Sequence, residues 1–107
     1  MRWTVGFLNE EIKRELDALP IDLRASFQRI VELIQVHGLE RIREPYLKHL
    51  EGQLWEMRMK GKSGIARAIY ITATGTRIVI VHVFTKKTQK TPRQEIAQAR
   101  KKAKEVQ

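Results

Sequence analysis

The stretch RIVIVHVFTKKTQKTPRQEIAQARKKA, Arg77 to Ala103, passes through three regimes. RIVIVHVF (Arg77 to Phe84) is apolar at odd and even positions alike, the pattern of a central strand covered on both sides. TKKTQK is a basic connection. From TPRQE onward the pattern is helical: Thr91 with Gln94 fits a capping box, and Pro92 suits the first helical position. Ile96, Ala99, Ala103 and Val106 recur at helical spacing, and the other faces carry Arg100, Lys101, Lys102 and Lys104.

Working back from this strand, TGT (Thr74 to Thr76) is a hairpin signal around Gly75. It joins RIVIVHVF to IARAIYITA (Ile65 to Ala73), a mostly apolar run with one charge, Arg67. GKSG is a second turn. Before it, QLWEMRMK (Gln53 to Lys60) alternates, with Leu54, Glu56, Arg58 and Lys60 on one side and Trp55, Met57 and Met59 on the other. LERIREPYLKHLEG (Leu39 to Gly52) has weak periodicity and reads as a connecting segment with at most a helical turn. Further back, Leu23, Phe27, Ile30 and Ile34 make one apolar helical stripe ending at Gly38. Ile12, Leu16 and Leu19 make another, with Asn9 as N-cap and Pro20 between the helices. RWTVGFL (Arg2 to Leu8) reads as a short first strand. The expected order is β-αα-βββ-α. It implies a small α+β domain spanning residues 1–107, its antiparallel sheet packed by the helical hairpin.

The 107 residues contain no cysteine, so neither disulfides nor thiolate metal sites are available. No apolar run approaches the roughly 18 residues of a membrane span. The start turns charged too early for a signal peptide. A cytoplasmic location away from membranes is expected.

The net charge of +9 is unevenly distributed. Residues 1–56 hold eight Lys or Arg against ten acids, whereas residues 57–94 hold nine Lys or Arg and no acid. Scattered solvating charges normally mix signs, so an acid-free basic block points to a polyanion, nucleic acid above all. Few aromatics lie within it, which argues against a platform for stacked bases.

Strand periodicity puts Arg58 and Lys60 on one face beside Glu56. Arg67 is the least ordinary residue of its strand. A guanidinium there needs a partner if buried, such as Glu56 across the strands, or else projects into a cleft to meet phosphate. Lys86 and Lys87 end the next strand, with Lys90 and Arg93 beyond. If the strands align, these cations share one concave region suited to a phosphodiester. The helix after Pro92 would present its N-terminal dipole nearby. There is no HExxH motif, no paired His–Asp spacing and no P-loop. A segment without carboxylates is also poor ground for Mg²⁺. No metal and no cofactor is therefore expected, and an enzyme built here would work with cations. RNA permits that, since its 2′-OH is an internal nucleophile. His82, in mid-strand, is read as packed and hydrogen-bonded.

LWEMR, ARAIYI and RIVIVHVFTKKTQKTP, followed by the helix EIAQARKKAKE, resemble the phage-derived, HigB-like branch of the RelE toxin superfamily. The resemblance covers the second half of the chain, and the helical hairpin is compatible with it. It implies the toxin of a type II toxin–antitoxin module, partnered by an antitoxin that often carries a helix-turn-helix domain. Such toxins enter the A site of the small ribosomal subunit and cut mRNA. The ends left are a 2′,3′-cyclic phosphate or 3′-phosphate and a 5′-hydroxyl. By position, Arg67 matches the functional arginine on the middle of the three C-terminal strands, and Lys86 and Lys87 match the basic pair after the last strand; the resemblance makes these three the expected catalytic residues. Arg58, Lys60 and Lys90 match RNA-facing positions. Some relatives place tyrosine, histidine or aspartate where this chain has Arg93 and Gln94. His49 and Tyr70 are the remaining candidates for proton transfer. The alternative from another class is a non-catalytic basic module that binds nucleic acid or docks a partner.

Overall fold

The structure, a computed structural model, describes residues 2–86 and 90–106. Strand β1 (Thr4–Phe7) leads to helix α1 (Glu10–Asp17), where the Asn9 side chain accepts the Ile12 N–H at 2.9 Å. Helix α2 (Ile21–His37) starts after Pro20 and stops at Gly38, whose φ of 89° lies in the left-handed region that glycine tolerates. A 3-10 turn at Leu39–Arg41 follows. Then come β2 (Leu47–Glu51), β3 (Leu54–Gly61), β4 (Gly64–Ala73), β5 (Arg77–Lys86) and α3 (Arg93–Ala103).

The anticipated order is present, with one further strand. β2 lies inside the segment read as a connection. It is short, at the sheet edge, and exposes Lys48, His49 and Glu51, so only Leu47 is fully buried. Two-residue alternation is barely visible in so few residues. The sheet order is β1-β5-β4-β3-β2. β2 to β5 pair antiparallel, while β1 runs parallel to β5, with Thr4 opposite Arg77 and Phe7 opposite Ile80.

β5 is covered on both faces, as its composition requires. On one side the stripes of α1 and α2 (Ile12, Leu16, Leu23, Phe27, Ile30, Ile34) pack on Met57, Met59, Ala68, Tyr70, Ile78 and Ile80. On the other, Ala99 and Ala103 of α3 approach Leu54, Ile69, Ile71, Val79 and Val81. Each large buried side chain contributes about 1.5–3 kcal/mol.

A bulge in β5 sets which side chains meet. Ile69 pairs with His82 but Tyr70 pairs with Ile80, so Val81 is the extra residue. Val81 packs under α3, and His82 also reaches α3. Downstream of the bulge the parity of β5 is reversed. Phe84 and Lys86 therefore share the α3 face with Arg67, not the face of the helical hairpin.

The start of α3 differs from the capping-box expectation. Pro92 occupies the N-cap position, and no side chain caps the helix. The Thr91 hydroxyl donates to Glu56 instead.

Candidate functional site

Strand register builds the site in rungs. Arg58, Arg67 and Phe84 lie side by side across β3, β4 and β5; Lys60, Ile65 and Lys86 form the next rung toward the strand ends. The preceding rung holds Glu56, Ile69 and His82. Along this face the chemistry passes from apolar under α3, through hydrogen-bonded polar groups, to cations at the open end.

There a cleft of about 300 Å³ is lined by Arg58, Lys60, Ile65 and Arg67 from the sheet. Ser26 and Arg29 of α2, with Pro45 and Tyr46 ahead of β2, complete its wall. Four of these residues are cations and none is an acid. The cleft exists because β2 stops short. The Arg58 N–H donates to the Tyr46 carbonyl at 2.8 Å, and further along β3 the Lys60 N–H is taken up by the Ser26 hydroxyl at 3.2 Å.

Arg67 is only 2% exposed and Glu56 1%. Their closest atoms, Arg67 Nε and Glu56 Oε1, are 3.3 Å apart. The distance is that of an ion pair, yet this N–H has no hydrogen-bond acceptor among the described residues. Arg67 Nη1 makes a long contact, 3.4 Å, to the Ala66 carbonyl. Burial weakens the guanidinium's hold on its proton, Glu56 opposes that effect and Arg58 adds to it. Arg67 nonetheless stays charged at any ordinary pH.

Lys86, 8% exposed, is pushed down to about 8 from 10.5. Burial is the main cause; the charges of Arg67, Arg58 and Lys48 add to it, and Glu56 opposes it. Arg58 lies 3.6 Å from Glu44, whose side chain is largely exposed, so this surface pair holds it weakly.

Of the expected site residues, the structure brings Arg58, Lys60 and Arg67 into one cleft and sets Lys86 on the adjoining rung. Lys90 and Arg93 are exposed ahead of and at the first turn of α3, and do not line the cleft. Lys87 lies outside the described residues. Tyr70 is buried in the core under α1 and α2, where burial raises its pKa. His49 is on β2, its Nε2 2.7 Å from the Gly52 carbonyl and its ring against Trp55. Neither reaches the cleft. His82 is packed and bonded as read: Nε2 is 2.6 Å from Glu95 Oε1, and Lys102 Nζ is 2.9 Å from Nδ1. The ammonium can only donate, so Nδ1 accepts and the ring proton resides on Nε2, pointing at Glu95.

Arg29, Ser26 and Tyr46 escaped the sequence reading. The first two sit on the polar side of an ordinary amphipathic helix, and Tyr46 sits in an aperiodic segment. No local pattern distinguishes them.

A helical hairpin on one face of a five-stranded sheet, with a cationic cleft where the sheet is left open, defines a RelE-like α+β protein. The E. coli toxin RelE, solved in the free state as a double arginine-to-alanine mutant, matches with a TM-score of 0.63. The match covers 94% of this chain and 97% of that one at 18% identity, a likeness of fold. The chain belongs to the phage-derived Gp49-like protein family, whose model matches residues 14–104. A search of curated proteins gives no significant match. The resemblance to the RelE superfamily read from the second half is met by both comparisons, and the likeness extends through the helical hairpin.

Proposed function

We propose that this protein is the toxin of a type II toxin–antitoxin pair and acts in the cytoplasm as a ribosome-dependent mRNA endonuclease. The observation that carries this reading is the acid-free cleft formed by Arg29, Arg58, Lys60 and Arg67. Its dimensions and charge suit a phosphodiester. Membership of a phage-derived family and the fold of a toxin support it.

In the reaction the 2′-oxygen of the RNA attacks the adjacent phosphorus as its proton is removed. The bond from phosphorus to the 5′-oxygen breaks, and that oxygen takes up a proton. The products are a 2′,3′-cyclic phosphate and a 5′-hydroxyl. Arg67, Arg58 and Lys60 would stabilise the extra negative charge on the phosphorane. Lys86, held to about 8, is suited to carry one of the protons near neutral pH. Lys87, Lys90 and Arg93 would hold the flanking phosphates.

The test is to induce the chain alone in bacteria and map mRNA 5′ ends, with and without a translation block. Lys60→Ala and Arg58→Ala are the best controls because neither strips a fully buried carboxylate of its partner. New 5′-hydroxyl ends inside reading frames, lost on blocking translation and reduced in both variants, are expected. An unchanged end map with folded protein present would instead favour a binding module. That second reading is favoured by one feature: the described cleft residues include no histidine or carboxylate to serve as base.

A further inference from the structure

Among the described residues, the buried carboxylate of Glu56 is approached most closely by Thr91 and Arg67, and the two contacts are unequal. The Thr91 hydroxyl lies 2.6 and 3.0 Å from its two oxygens, as close as a hydrogen bond allows. Arg67 Nε stands off at 3.3 Å and has no hydrogen-bond acceptor among the described residues. Left to themselves, a carboxylate and a guanidinium buried side by side close into a paired, charge-assisted geometry. Here the hydroxyl is bonded to the same oxygen, Oε1, from which Arg67 Nε stands off. It comes from the residue before the N-cap of α3, where the sequence pattern would have used it to cap the helix.

We infer that Glu56 and Thr91 are positioning residues: Thr91 holds the Glu56 carboxylate away from a closed pair with Arg67. The arginine at the floor of the cleft thus keeps unspent donor capacity for an incoming anion. Glu56 supplies the counter-charge that lets a guanidinium stay buried there at all. The arrangement links the start of α3 to the cleft. Any shift of Thr91 frees Glu56 to close on Arg67 and withdraws it from an incoming phosphate. This inference rests on the reading of the cleft as a phosphate site, but its first readout does not.

The test uses the full chain as wild type, Thr91→Val and Thr91→Ser. Valine keeps the shape and removes the donor; serine keeps the donor. The arginine Nε–H resonance of Arg67 is followed by NMR, together with affinity for a short 2′-deoxy oligonucleotide, which cannot be cleaved. In Thr91→Val the Nε–H should move downfield and exchange more slowly as it bonds to Glu56. Oligonucleotide affinity should fall by about tenfold, the scale of one charged hydrogen bond. Thr91→Ser should behave as wild type. An unchanged Arg67 resonance in Thr91→Val overturns the inference, whatever the affinity does. A shifted resonance in a protein whose wild type ignores the oligonucleotide upholds the positioning role and sinks the phosphate reading instead. Thr91→Ala provides a second route should Thr91→Val fail to fold. It also removes the donor to Glu56 while leaving the buried charge pair intact, so the Arg67 Nε–H should shift downfield and affinity should fall as in the valine variant. An unchanged Arg67 resonance in that variant would count against the inference.

Discussion

Replacing Arg67 by alanine would leave the Glu56 carboxylate fully buried with Thr91 as its remaining hydrogen-bond partner among the described residues. Stranding one member of a buried pair costs about 3–5 kcal/mol. Arg67→Ala should therefore lose stability before any effect on chemistry can be read, and urea denaturation will show it as a lower midpoint with an unchanged slope. Lys86 gives a second prediction. Its folded value of about 8 lies below the usual 10.5, so between these pH values the unfolded chain binds a proton that the folded chain does not. The penalty for burying the ammonium is fully present below pH 8 and fades as the pH rises to 10.5. The contribution of Lys86 thus makes stability climb with pH across that window. Urea titrations of wild type and Lys86→Met at several pH values between 7 and 10.5 should differ by this rising component. Arg67 itself was legible as an anomaly: one charge in an apolar strand needs either a partner or a ligand. That its partner Glu56 is in turn bonded to Thr91 was not legible, because no spacing in the sequence joins Thr91 to Glu56, 35 residues away.

At the scale of elements, periodicity located both long helical stripes and the three C-terminal strands because each buries a full face. β2 escaped because it is a short, polar edge strand. The bulge escaped for a different reason. RIVIVHVF is apolar on both faces, so nothing in it reveals that Val81 and His82 both serve the α3 side. The parity change is nonetheless what turns Lys86 toward Arg67 and His82 toward Glu95 and Lys102. His82→Ala should leave Glu95 and Lys102 half-buried without their shared partner. A cost of about 1–3 kcal/mol is expected, with faster amide exchange along α3 than along α2. The turn between β3 and β4 offers another check. A Cβ on Gly61 would overlap the Asp22 carboxylate, which accepts the Ser63 N–H at 2.7 Å and is held below its ordinary pKa by that bond. Gly61→Ala should displace Asp22 from Ser63 and lower the Tm by a few degrees, measurable by thermal denaturation.

For the whole molecule, the charge map read from the sequence survives folding because the basic block folds into adjacent strands. Of the nine cations between residues 57 and 94, Arg58, Lys60, Arg67 and Lys86 come together on adjacent rungs at the open end of one sheet, whereas Arg77 lies at the opposite end of β5. Binding of single-stranded RNA should then be strongly salt-dependent. If the four cleft cations each neutralise a phosphate, the logarithm of affinity should fall against the logarithm of salt with a slope of about 3. Lys60→Ala should lower that slope by somewhat less than 1, measurable by fluorescence anisotropy. Arg29 reaches the cleft only through the packing of α2 on β3, so its part in the charge map becomes visible only in three dimensions.

The parallel pairing of β1 with β5 has a bearing on how the molecule comes into being. The Thr76 hydroxyl donates to the Arg2 carbonyl across 74 residues of chain, and each backbone contact of β1 with β5 spans a similar length. During synthesis the first strand therefore emerges long before its neighbour exists. The helical hairpin can form early from local contacts, but β1 must wait until β5 has been made. Closing so long a loop is slow compared with forming a helix or a hairpin. The sheet that carries the cleft is thus completed late, when most of the polypeptide is already available, so a nascent chain lacks a finished sheet.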